Sequence, residues 1–113
     1  MDKLTEEQVR KFWEWCGLPY GGYGNFNRQK AKNLPSIDLN NLFKYAVPKV
    51  INLDYDIDLF TEDGYYFGRA RKTSALKWHI STIGYLDPVL ALFWALWQVK
   101  ELNKNEGGNK WKA

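Results

Sequence analysis

The chain has 113 residues, of which 45% are hydrophobic and 17% aromatic, with a formal net charge of +3 and a pI near 8.9. One domain's worth of chain this apolar excludes intrinsic disorder over most of its length, and the charge falls well short of that of a typical phosphate-backbone binder. The single cysteine, Cys16, excludes an internal disulfide framework and fits a reducing compartment.

The opening MDKLTEEQ is acidic and polar, unlike a secretory signal. A helix is predicted over residues 5–16. Thr5 and Gln8 are spaced as a capping box, with Leu4 and Val9 as a hydrophobic staple. Val9, Phe12, Trp13 and Cys16 make one apolar stripe, and Trp15 lies off it, expected at the surface. Gly17 suits the left-handed position that ends the helix.

Residues 17–36 follow as a loop rich in Gly, Asn and Tyr, with four glycines and no periodicity. Loops of this length in a small domain are often functional. Tyr20, Tyr23 and Phe26 stand just ahead of Arg28, Lys30 and Lys32, and these six are the candidate partner-binding residues. Extending the basic run to Lys44 and Lys49 gives five bases against one acid, Asp38. Bases beside aromatics suit a single-stranded nucleic acid or an acidic protein surface. They equally suit a solvated polar loop.

A second helix is predicted over residues 38–51, capped by Asp38, with Leu39, Leu42, Phe43, Ala46, Val47 and Val50 on one face. Pro48 is expected to kink it or stop it near Val47. Asp63-Gly64 then signals a two-residue hairpin turn. That turn sets Glu62 opposite Tyr65, Phe60 opposite Phe67, Asp58 opposite Arg69 and Asp56 opposite Arg71. Ile57 and Leu59 fall opposite Ala70 and Gly68 on the other face, where the small residues predict a closely packed helix. A third strand is expected over residues 75–82, alternating Leu76, Trp78 and Ile80 against Lys77, His79 and Ser81. Asp87 and Pro88 open a last helix to about Leu102, apolar nearly all round. The apolar run within it, Val89 to Trp97, is too short to span a bilayer.

The expected fold is α+β, in the order α-α-β-β-β-α: a three-stranded antiparallel sheet with helices packed on it, sandwich-like (α/β/α). It occupies residues 1–102 as one domain, with a flexible tail over 103–113. The first helix, or a second chain in a homodimer, should cover the outer side of the last one.

Catalytic and metal chemistry find few residues. One histidine, His79, and one cysteine cannot make the usual zinc site. Asp54, Asp56 and Asp58 begin like a calcium loop, but Leu59 and Tyr65 stand where Gly and Glu are needed. No enzyme activity and no cofactor are expected.

The helix, three strands and helix of residues 38–102 resemble a double-stranded-RNA-binding domain in outline. That family needs lysines at the start of its last helix, where this chain has Asp87-Pro88-Val89-Leu90. IDLNNLFKYAVPKV (Ile37 to Val50), the hairpin and DPVLALFWALWQV (Asp87 to Val99) more closely resemble the phage ABA sandwich proteins of bacteriophages and prophages. That resemblance implies an accessory phage protein in the host cytoplasm. Its expected task is to bind a host protein or ribonucleoprotein complex and inhibit a bacterial defence, as anti-CRISPR proteins do. A nucleic-acid-binding module using Arg28, Lys30, Lys32, Lys44 and Lys49, or a phage assembly protein, is the alternative.

Overall fold

A computed structural model describes residues 4–18, 34–78 and 80–112, with side chains placed as far as residue 103. The first helix, α1 (Glu6–Trp15), starts on the expected capping box. The Gln8 amide donates to Thr5 Oγ1 at 3.1 Å and the Thr5 amide to Gln8 Oε1 at 2.9 Å. It ends on a Schellman motif: Gly17 takes a φ of 92°, its N–H bonds the Glu14 carbonyl, and the Leu18 N–H returns to the Trp13 carbonyl.

The second helix, α2, runs through three consecutive segments: Leu39–Asn41 as α, Leu42–Ala46 as a π turn, and Val47–Asn52 as α. Asp38 caps it, accepting from the Asn41 amide at 2.8 Å. The π turn explains why Pro48 does not stop this helix at Val47. The Val47 N–H reaches back five residues to the Leu42 carbonyl. Pro48 then stands in the first turn of a new α segment, where a missing donor leaves no bond unmade. The extra residue also rotates Phe43 off the apolar face. Leu42, Ala46, Val47 and Val50 are buried, whereas Phe43 is exposed, contrary to expectation.

Strands β1 (Tyr55–Glu62) and β2 (Tyr65–Lys72) form the hairpin in the predicted register, Glu62 facing Tyr65 and Asp56 facing Arg71. Asp63 and Gly64 have φ values of 55° and 83°, the left-handed pair that a type I′ turn requires. β3 is only Ile80–Ser81, on the far side of β2. The expected strand over residues 75–82 is therefore cut at both ends. At its start, the Thr73 amide bonds the Asp54 carbonyl and the Ala75 amide the Lys72 carbonyl, which turns the chain away from β2. At its end, the Thr82 hydroxyl takes the place of a backbone partner and accepts from the Gly68 amide at 3.0 Å.

The last helix, α3 (Pro88–Lys112), opens as predicted, Asp87 Oδ1 accepting from the Val89 amide at 2.9 Å. It continues beyond Leu102, where the apolar pattern stops; no proline follows to remove a donor. α3 lies against the sheet where β2 has no side chain in the way. A methyl group built at Gly68 would overlap the Ala91 carbonyl oxygen and come within 2.9 Å of Ala95 Cβ. Phe93, two residues from both alanines, is turned to the opposite side of the helix. There α1 packs, with the Phe12 and Phe93 rings 4.7 Å apart. Trp13 fills the gap toward α2, its ring 6.0 Å from Tyr45 and its indole N–H bonded to the Pro35 carbonyl at 2.9 Å. The layers are thus the sheet, then α2 with α3, then α1. The class and element order are the expected α+β ones. Trp15, expected at the surface, is half-buried against the core.

The contact at Gly68 can be tested directly. Gly68→Ala should lose about 1–3 kcal/mol in urea unfolding, the usual range for overpacking. Because the obstacle is a backbone carbonyl, Ala95→Gly on the same chain should not restore the loss.

Candidate functional site: the outer face of the hairpin

Alternation along β1 and β2 sends Ile57, Leu59, Gly68 and Ala70 toward the helices. It sends Asp56, Asp58, Phe60, Phe67, Arg69 and Arg71 to the opposite face. Among the described residues no helix covers that outer face. Cross-strand pairing organises it into rows. Phe60 and Phe67 stack with centroids 5.3 Å apart and planes 17° from parallel. In the next row Arg69 donates from Nε and Nη2 to Asp58 Oδ2, both at 2.9 Å. In the third, Arg71 Nε stands 3.5 Å from Asp56 Oδ2, an ion pair too loose to be a good hydrogen bond.

Trp78 ties these rows together. Its ring lies over both guanidinium groups, 4.3 Å from that of Arg69 and 4.6 Å from that of Arg71. Arg69 is in turn 4.6 Å from the Phe60 ring, so its planar cation is shared between two aromatic rings. Arg71 also donates from Nη1 to the Leu76 carbonyl at 3.3 Å, which holds the residue 76–78 stretch over the hairpin. This explains the shortened third strand: residues expected beside β2 fold across its face, drawn by two cation–π contacts. Alternation placed Trp78 with Ile80 on the inner face. The structure puts it outside.

The four charged side chains keep exposures between 30 and 45%. They are accessible yet held in place, a stronger arrangement than isolated surface ion pairs. Exposed apolar residues flank the face. Leu76 is 92% exposed beside Trp78, and Ile83 is 70% exposed next to Gly84, which is pressed against Phe67 and Tyr65.

Other features carry less. Tyr20, Tyr23, Phe26, Arg28, Lys30 and Lys32, the partner-binding residues expected from the sequence, lie outside the described residues, as does His79. Lys44 and Lys49 are on α2, away from the hairpin face. Their ammonium groups lie 5.1 Å from the Tyr45 ring and 5.7 Å from the Trp15 ring. Between α1 and α3 a shallow groove of about 500 Å³ is lined by Lys11, Glu14, Trp15, Trp97, Lys100 and Glu101, with charges of both signs. Among the described residues, no three His, Cys, Asp or Glu side chains gather as a ligand set for a metal ion. Asp56 and Asp58 are strand residues paired with arginines, and Asp54 occupies the turn before them with a φ of 67°. No described helix is long and apolar enough to cross a membrane.

Comparison with known proteins places no further constraint: no family model matches the chain, and no curated protein or solved structure is significantly similar to it.

Two outcomes test this geometry. Trp78→Ala removes two cation–π contacts and should cost about 1–2 kcal/mol in urea unfolding. Burial pushes the Cys16 thiol up to about 12, against a smaller opposing pull from Lys49. With a folded value above the ordinary one, Cys16 stays protonated at neutral pH, and any stability it confers declines only as the pH rises from about 9 toward 12. A thiol-specific reagent at pH 8 should therefore label the folded chain far more slowly than the chain in urea.

Proposed function

We propose that this chain is a non-enzymatic binding protein that meets a partner protein through the outer face of its hairpin. The observation that carries the reading is the stack of Phe60, Arg69, Trp78 and Arg71, with Arg69 fixed by the Asp58 carboxylate and Arg71 held by the Leu76 carbonyl beside a looser pairing with Asp56. Tryptophan and arginine dominate interface hot spots, and side chains already held in one arrangement lose little freedom on binding. Exposed Leu76 and Ile83 beside the stack supply apolar area that a partner would cover.

The resemblance to phage ABA sandwich proteins extends this reading. The partner would be a host protein or ribonucleoprotein complex of a bacterial defence, inhibited by contact in the host cytoplasm. Tyr20, Tyr23, Phe26, Arg28, Lys30 and Lys32 remain a second contact region in this proposal, carried by their composition. Binding of RNA or DNA through Lys44 and Lys49 has less support, since each already lies over an aromatic ring and Asp87 puts an acid at the head of α3.

The test is affinity purification from a bacterial host with quantitative mass spectrometry, comparing wild type, Trp78→Ala and a Tyr20→Ser/Tyr23→Ser double variant. A partner lost at least tenfold with Trp78→Ala supports the hairpin face. If only the tyrosine variant loses it, the contact lies in the glycine-rich segment and the hairpin assignment fails. Recovery of nucleic acid alone, with affinity falling steeply in salt, would replace the protein-binding reading.

A further inference from the structure

The sheet order β1-β2-β3 leaves β1, eight residues long, at an edge. In a type I′ hairpin the residues flanking the turn form a hydrogen-bonded pair, and such pairs then recur at every second residue. Glu62, Phe60, Asp58 and Asp56 therefore spend their backbone groups on β2. The N–H and C=O groups of Ile57, Leu59 and Thr61 point away from the sheet, and no described residue pairs with them as a further strand.

The packing shows the same open side. Ile57 and Leu59 face the helix layer yet are only half-buried, while Ala70, one strand further in and opposite Ile57, is fully buried. An added strand would complete the cover over both.

The charges select its chemistry. On the outer face β1 presents Asp56, Asp58, Phe60 and Glu62, and Asp54 and Asp63 flank the strand. Arg69 directs Nε and Nη2 to Asp58 Oδ2, and Oδ1 of that carboxylate accepts no hydrogen bond from any described residue. A second copy is a poor occupant. Antiparallel self-pairing with outer faces aligned sets these outer positions against one another, three of the four being acidic. Such charges are a familiar defence of an exposed edge against its own kind. They favour a strand with bases at alternate positions.

We propose that the β1 edge is a strand-addition site for an extended segment of a partner protein that alternates basic and apolar residues. Its bases would lie beside Asp56 and Asp58, and its apolar side chains beside Ile57 and Leu59. This deepens the protein-binding reading and rests on it, but it uses backbone groups that the Trp78 stack does not touch.

The experiment is amide NMR on the full chain, titrated with an eight-residue peptide of alternating lysine and valine, and separately with its glutamate–valine counterpart. The lysine peptide should slow exchange and shift the amides of Ile57, Leu59 and Thr61, and its affinity should fall severalfold between low and moderate salt. Thr61→Pro removes one outward donor while sparing the bonds of Phe60 and Glu62 to β2; it should weaken binding about fivefold or more. Equal response to the glutamate peptide overturns the proposal, as does response elsewhere on the chain or no response. So does protection of those three amides in the free protein, which would mean that the chain itself or a second copy holds the edge. The wider reading fails on a separate result, retention of the natural partner by Trp78→Ala.

Discussion

The close approach of α3 to β2 sets the position of everything else. At Gly68 the sheet has no side chain, and the helix backbone at Ala91 and the methyl of Ala95 occupy that space. Two small residues on the strand and two alanines on the helix let the layers meet almost backbone to backbone. With Ala91 and Ala95 on the sheet, Phe93 must face the other way, and an aromatic ring facing away from the sheet needs its own cover. Phe12 and Trp13 of α1 provide it. The helix is apolar nearly all round because it is an inner layer, with the sheet on one side and α1 on the other.

This arrangement commits the inner face of the hairpin wholly to packing and leaves the outer face to other ends. The two faces share one register, so they cannot be changed independently. A slip of one residue would carry Asp58 and Arg69 into the helix layer and Leu59 into water. The Asp–Arg rows therefore report the same constraint as the core. They also keep two guanidinium groups close over the Trp78 ring, which turns a structural pairing into a patterned surface.

Much of this was legible in the residues because it depends on local rules. The Asp63-Gly64 turn fixed the hairpin register, and with it the pairing of Asp58 with Arg69 and Phe60 with Phe67. Thr5 and Gln8, Asp38, and Asp87 with Pro88 marked the helix starts, since each satisfies backbone donors within its own first turn. The missed features depend on partners distant in sequence or on a choice between near-equal local solutions. Pro48 could have ended α2, and the structure instead takes up one extra residue as a π turn, which puts Phe43 outside. Leu76, Trp78 and Ile80 alternate as a strand would, but two arginines across the face outbid the ladder for Trp78. The surface that Trp78 completes could therefore be read only in part: its Asp, Arg and Phe rows, but not the ring that joins them. Trp15 is another such case, drawn into the core by Phe12 rather than by its place on the helix stripe.

The acidity of β1 has two readings that the geometry brings together. An exposed edge must be kept from pairing indiscriminately, and placing carboxylates at alternate positions achieves that against a second copy. The same carboxylates are the ones that orient Arg69 and Arg71 beneath Trp78. Neutralising Asp58 would therefore act twice, loosening the cation stack and removing a barrier to self-association. A chain so built repels its own edge and holds its aromatic–cationic face steady. Selectivity of both kinds is what the partner binding proposed above would require.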